Sequence, residues 1–168
     1  MNEAIQNMLE KYSIKDSMEA ENVLKEIIQK IALLGLHRSN FFEKAAFYGG
    51  TALRILYGLP RYSEDLDFTL FKTEKSFSLK PYFSAVEKEL EAYGFKVEIE
   101  PIEKPIPSKV ESAFIKAHTK IHLLKIEGFK IYGEKMQSSS KLQIKFEVDT
   151  DLNLNLKLDT YLIQQAFQ

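Results

Sequence analysis

Two pairs of carboxylates in this chain have a spacing that could do chemistry. Asp65 and Asp67 stand two apart in Glu64-Asp65-Leu66-Asp67-Phe68, and Glu147 and Asp149 repeat the spacing just after Lys145. On a β-strand, residues i and i+2 project from one face about 6–7 Å apart, close enough for the tips of two carboxylates to share a divalent cation. Magnesium suits them, because it takes oxygen ligands, keeps waters and is completed by substrate phosphates. A third carboxylate on a neighbouring strand would complete a clamp for in-line displacement at phosphorus. Glu147 and Asp149 both qualify, and spacing alone does not rank them.

A phosphate needs a seat, and Gly49-Gly50-Thr51 supplies one. Glycines opening a helix expose backbone N–H groups and the positive end of the helix dipole with no Cβ in the way. Thr51 adds a hydroxyl. Arg61 and Lys145 are suited to hold a triphosphate, where positive charge stabilises what develops on leaving pyrophosphate, and Ser63 can donate a hydrogen bond to phosphate.

These residues require particular elements beneath them. Ala45 to Tyr48 reads as a strand, Gly49-Gly50-Thr51 as a tight turn, and Ala52 to Tyr57 as a short buried helix ended by Gly58 and Pro60. Leu66 to Phe71 reads as a strand with Asp65, Asp67 and Thr69 on one face. Leu142 to Val148 alternates in the same way, with Leu142, Ile144, Phe146 and Val148 inward and Lys145, Glu147 and Asp149 outward. Leu152 to Leu158 alternates again, which predicts a hairpin turning at Thr150 to Asn153.

The supporting elements follow from periodicity. Val23, Leu24, Ile27, Ile28, Ile31 and Leu34 fall on one helical face, with Ser17 as the expected N-cap, Gly35 as the expected stop and His37 in the loop beyond. Pro81 to Tyr93 reads as a second helix and Phe95 to Ile99 as a strand. Pro101, Pro105 and Pro107 predict an extended loop, and Val110 to about Ile126 is read mostly as helix. The expected fold class is α+β, a mixed β-sheet of about five strands flanked by α-helices.

Composition narrows the rest. Of the 168 residues 45% are hydrophobic and 28% charged, which is a globular composition and predicts a single domain over 1–168, with a helical part at 1–40 and a sheet-containing core at 41–160. There is no cysteine, which excludes disulfides, thiolate zinc sites, iron–sulfur clusters and cysteine nucleophiles. Apolar runs fall far short of the ~20 residues of a membrane span. A cytoplasmic protein, neither exported nor membrane-inserted, is expected. With 23 Lys and Arg against 24 Asp and Glu there is no global field for nucleic acid, so any such contact must be a local patch.

The same residues carry a family resemblance. Phe47-Tyr48-Gly49-Gly50-Thr51-Ala52-Leu53-Arg54 through Arg61-Tyr62-Ser63-Glu64-Asp65-Leu66-Asp67-Phe68 resembles the signature of the AbiEii/AbiGii toxin family, nucleotidyltransferase-fold proteins related to the MenT toxins. Ile144-Lys145-Phe146-Glu147-Val148-Asp149-Thr150 is similar to the family's later strand, and the likeness spans roughly Phe41 to Thr160. It implies a polymerase-β-like nucleotidyltransferase core, Mg2+ dependence, a nucleoside triphosphate donor, and a toxin–antitoxin or phage-defence role with a cognate antitoxin. Related toxins add nucleotides to tRNA 3′ ends, which implies an RNA acceptor. On this mapping Gly50 and Thr51 take the place of the family's Gly-Ser turn, Asp65 and Asp67 of its metal-binding pair, and Lys145, Glu147 and Asp149 of its later strand. The family's C-terminal helical region, with its Lys-rich helix, is expected to be absent from these 168 residues.

Two other classes fit the residues. One is a catalytically incomplete nucleotide- or partner-binding member of the fold. The other is a metal-dependent phosphodiesterase or nuclease, since the same acids serve hydrolysis. His118 and His122, four apart on an expected helix, lack the third ligand of a zinc site, and Ser63 has no histidine placed to make a hydrolase triad.

Overall fold

The structure is a computed structural model that describes residues 3–106, 108–126 and 128–151. After a short α1 (Glu3–Leu9), the apolar stripe read from the sequence becomes α2 (Ser17–Arg38). Its Val23, Leu24, Ile27, Ile28, Ile31 and Leu36 are buried in the main core. The N-cap is Asp16 rather than Ser17: Asp16 Oδ1 accepts the Glu19 amide at 2.8 Å. Nor does the helix stop at Gly35. It continues to Arg38 and takes in His37, which the sequence places in a loop. Gly35 serves packing instead, because a Cβ there would lie 2.9 Å from Val86 Cα and 3.0 Å from the Ala85 carbonyl oxygen on α4 (Lys80–Ala92). Glycine inside a helix costs about 1 kcal/mol relative to alanine, and here it lets the two helix backbones touch.

Five strands form one mixed sheet in the order β1-β2-β5-β4-β3, comprising β1 (Ala45–Tyr48), β2 (Leu66–Leu70), β3 (Val97–Pro101), β4 (Val110–His118) and β5 (Lys141–Asp149). Only β2 and β5 run parallel; the other pairs are antiparallel. Between β1 and β2 lies α3 (Gly49–Tyr57), and between β4 and β5 lie α5 (Thr119–Lys125) and α6 (Lys130–Glu134). This is the α+β architecture expected from the sequence. Among the described residues, no helix is long and apolar enough to cross a membrane.

The sheet has two unlike faces. Leu66, Phe68, Ile115, Leu142, Ile144, Phe146 and Val148 are buried in one core with the α2 stripe. On the opposite face of β5, Lys141 and Gln143 are exposed while Lys145, Glu147 and Asp149 are half-buried. That period of two is the strand pattern of a sheet with one dry face and one wetter face.

One expectation is overturned over Val110 to Ile126. Its first half is β4, paired along its whole length with β5, and only Thr119–Lys125 is helical. Val110, Ala113, Ala117 and Ile121 mimic helical spacing, but Ala113, Ile115 and Ala117 are buried in alternation with Phe114, Lys116 and His118. Consequently His118 and His122 do not share a helix: His118 ends β4, exposed, and His122 lies buried in α5 with Nε2 3.0 Å from the Lys96 carbonyl oxygen. Pro101 belongs to the end of β3 rather than to the loop. The second arm of the expected hairpin, Leu152 to Leu158, lies outside the described residues.

Candidate active site

Strand β1 delivers the chain into α3 through Gly49, whose φ of +81° is a left-handed conformation that L side chains rarely adopt. The glycine is also required sterically. A Cβ on Gly49 would lie 2.6 Å from Asp67 Oδ2, so the Asp67 carboxylate rests against the backbone at the start of α3. At Gly50 a Cβ would meet Ser63 Oγ at 2.9 Å and Arg61 Nη2 at 3.7 Å. The phosphate seat and its three neighbours Arg61, Ser63 and Asp67 thus come together around two residues without side chains.

Thr51 has a different place from the one the sequence suggests. It is 1% exposed, and its hydroxyl donates to the Asp65 carbonyl oxygen. The donor expected to reach a phosphate instead ties the first turn of α3 to the residue that enters β2. A second tie comes from α2, where the buried Gln29 donates through Nε2 to the Ser63 carbonyl oxygen at 3.0 Å. Two polar side chains therefore fix the approach to Asp65 and Asp67.

The acids gather across the parallel seam. In the β2–β5 register Asp67 stands opposite Glu147, while Asp149 stands opposite Thr69, one alternate position further along. Glu147 Oε1 receives Lys145 Nζ at 2.9 Å and the Ser112 hydroxyl at 3.1 Å. Asp149 Oδ1 caps the Asp151 amide at 2.9 Å. The register therefore puts Glu147, rather than Asp149, beside Asp67.

The electrostatics agree with that grouping. Burial, then the charges of Asp65 and Glu147, push the Asp67 carboxyl above its ordinary value, with Lys145 opposing. Burial also raises Asp65, with Lys145 pulling down and Glu147 and Glu64 pushing up. Tyr48, paired with Asp67 in β1, has its phenol raised by burial and then by Asp67, Asp149 and Glu147. Three acids and one lysine form a site short of positive charge, which a divalent cation would supply.

Among the described residues no group of three or more acids and histidines is placed so that it could hold a metal ion; magnesium needs fewer, because protein sites hold it through one or two carboxylates and leave it open to substrate phosphates. Asp65 and Asp67, with Glu147 in register beside Asp67, are the carboxylates that could hold it. A groove of about 600 Å³ shares Arg61 with the site; Glu21, Lys25, Pro60, Tyr62 and Glu64 are among its other walls, and none of Asp65, Asp67 and Glu147 lines it. Its volume is within the usual range for small-ligand sites.

Sequence reasoning missed Tyr48, Gln29 and Ser112. Tyr48 had a local signal, being the last strand residue before the glycines. Gln29 and Ser112 had none, because their roles depend on how α2 and β4 are placed.

A mixed sheet with a glycine-opened helix on one strand and acids on the next two defines a nucleotidyltransferase-like α+β protein. The chain belongs to the nucleotidyl transferase AbiEii toxin family of type IV toxin–antitoxin systems, whose family model matches residues 31–168. No curated protein matches the sequence. Among solved structures, the chain is similar to JHP933 from Helicobacter pylori, with 17% identity and a TM-score of 0.46 over 83% of this chain and 50% of that one. It is similar also to an H. pylori protein described as a candidate nucleotidyltransferase, with 19% identity and a TM-score of 0.44 over 89% of this chain and 47% of that one. The chain thus spans about half the length of either structure.

Proposed function

We propose that this chain is the catalytic core of a magnesium-dependent nucleotidyltransferase that moves a nucleotide from a nucleoside triphosphate to an acceptor hydroxyl, with RNA such as tRNA as acceptor. It acts as the toxin of a toxin–antitoxin or phage-defence pair, restrained by a cognate antitoxin in the cytoplasm. The observation that carries this reading is Asp67, which lies against Gly49 at the helix start and in register with Glu147.

In this reading the Gly49–Thr51 turn seats phosphate through its backbone amides, and Arg61, Ser63 and Lys145 hold the remaining phosphate oxygens. Asp65 and Asp67 hold magnesium with Glu147 beside them; when bound, the ion neutralises phosphate charge. Glu147, with Asp149 further along the strand, accepts the proton of the acceptor hydroxyl. A bond forms from the acceptor oxygen to the α-phosphorus as the bond to the β-phosphate bridge breaks, and pyrophosphate leaves.

The test is titration of each nucleoside triphosphate with and without magnesium, followed by product analysis with RNA. Binding that needs magnesium and disappears in Asp65→Ala plus Asp67→Ala, with pyrophosphate release, supports transfer. Cleaved RNA without pyrophosphate would replace transfer by hydrolysis, and no binding at millimolar nucleotide would leave a non-catalytic member of the family.

A further inference from the structure

At the end of the sheet away from Asp67, the start of β5, the end of β4, the residues entering β3 and helix α5 enclose a notch of about 300 Å³. Lys96, Lys116, Lys125 and Lys141 line it with His118, and Glu98 is the one carboxylate among its walls. Lys116 is paired with Glu100. Lys96, Lys125 and Lys141 are exposed and have no ion-pair partner among the described residues. A chain of net charge −1 therefore concentrates cations in one concave place.

The notch is connected to the candidate active site. His118 pairs with Lys141, Lys116 with Gln143, Phe114 with Lys145 and Ser112 with Glu147, so these residues share the wetter face in successive rows. Lys141 and Glu147 lie on one strand, and the strand rise puts them about 20 Å apart. Between them stand Gln143 and Lys145, with Phe114 offering a half-buried ring. The notch lysines Lys96, Lys125 and Lys141 stand at one end of this face and the acids at the other, with Lys145 held by Glu147 and with Glu98 and Glu100 of β3 in the rows of Lys116 and Phe114; a polyanion seated on the lysines can direct its end along β5 toward the acids.

We infer that this notch binds the phosphodiester backbone of the nucleic-acid acceptor, holding it about 20 Å from the acids while its 3′ end enters the site. The inference rests on the transferase reading for the role of the bound strand, but the binding itself is independent of chemistry. Such a contact is local and needs no overall positive charge.

The test is fluorescence anisotropy of a labelled RNA hairpin with a single-stranded 3′ end, and of its DNA counterpart, across a salt series. Lys96→Ala, Lys125→Ala and Lys141→Ala together should weaken binding about tenfold and lower the salt slope by about 2. Removing the exposed Lys11, Lys88 and Lys135 subtracts the same charge elsewhere and should leave binding nearly unchanged. RNA preferred over DNA, or the reverse, identifies the source of the backbone. Equal losses in the two triple variants, or a wild-type chain that binds neither probe, would overturn the inference. Asp65→Ala plus Asp67→Ala should still bind the hairpin, so failure of nucleotide binding and failure of the notch are read separately.

Discussion

The Arg54 guanidinium lies over the Tyr62 ring, 3.8 Å from its centroid, while its Nε donates to Glu26 on α2. Arg54 Nη1 also donates to the carbonyl oxygens of Leu59 and Pro60, at 3.0 and 2.9 Å. One side chain thus fastens α3, the loop that carries Arg61 and Ser63, and the central helix. Glu26 is 5% exposed and also takes the Tyr12 hydroxyl at 2.7 Å and Lys30 at 2.9 Å.

Removing one partner of this cluster leaves the others buried without a counter-charge. Glu26→Gln should destabilise the protein by about 3 kcal/mol, and Arg54→Met combined with it should cost less than the two single changes summed. Urea unfolding of the four proteins in the cycle measures this. Additive losses would show that the cluster is not coupled.

Acid should act through the same glutamate. Burial pushes the Glu26 carboxyl up, but hydrogen bonds from Tyr12, Arg54 and Lys30 outweigh it and hold the group below its ordinary value. A lowered carboxylate contributes stability that is full above its unfolded value, near 4.3, and lost as pH falls through the folded value. His122, 2% exposed and held below its ordinary value by burial, contributes a separate loss that begins as pH falls below about 6.5. Unfolding free energy followed from pH 7 to 3 should show both falls. His122→Gln should remove the upper one and Glu26→Gln the lower.

Asp67→Ala should lose magnesium-dependent nucleotide binding by about a hundredfold or more. Its stability without ligand should be unchanged or slightly raised, because the raised value of Asp67 reflects burial and then repulsion by Asp65 and Glu147, which the change relieves. Calorimetric titration and a thermal melt on one preparation check both. A variant that keeps full nucleotide binding would remove Asp67 from the site.

Gly49 and Gly50 should respond differently to alanine. At Gly49 the positive φ costs an L residue about 1–2 kcal/mol, and the new Cβ would displace the Asp67 carboxylate. Stability and metal-dependent binding should fall together. Gly50 has no positive φ, and its Cβ would press on the Ser63 hydroxyl, so nucleotide affinity should fall with little change in the melt.

What the sequence disclosed about this fold depended on range. Alternation in Leu142 to Val148 and the periodic stripe in α2 are local patterns, and both elements stand where they were expected. Gly35 and Ser17 carry the usual stop and cap chemistry, yet Gly35 packs against Val86 inside a helix that runs on to Arg38, and the carboxylate of Asp16 is the cap. At the candidate site the residue types were legible and their partnerships were not. Glu147 is separated from Asp149 only by the β2–β5 register, and the Thr51 hydroxyl turns to a carbonyl that sequence spacing cannot anticipate.

The position of β5 has a consequence for how the molecule assembles. It is the last described strand in the chain yet sits inside the sheet, between β2 and β4. The pairs β1–β2, β3–β4 and β4–β5 each join strands that follow one another in the chain, whereas pairing β5 with β2 closes a loop that runs from residue 71 to residue 140. Asp67 and Glu147 lie on opposite sides of that final joint. A nascent chain therefore carries Asp65 and Asp67 without Glu147 until residues near 149 have left the ribosome, so the order of synthesis itself delays the meeting of the acids.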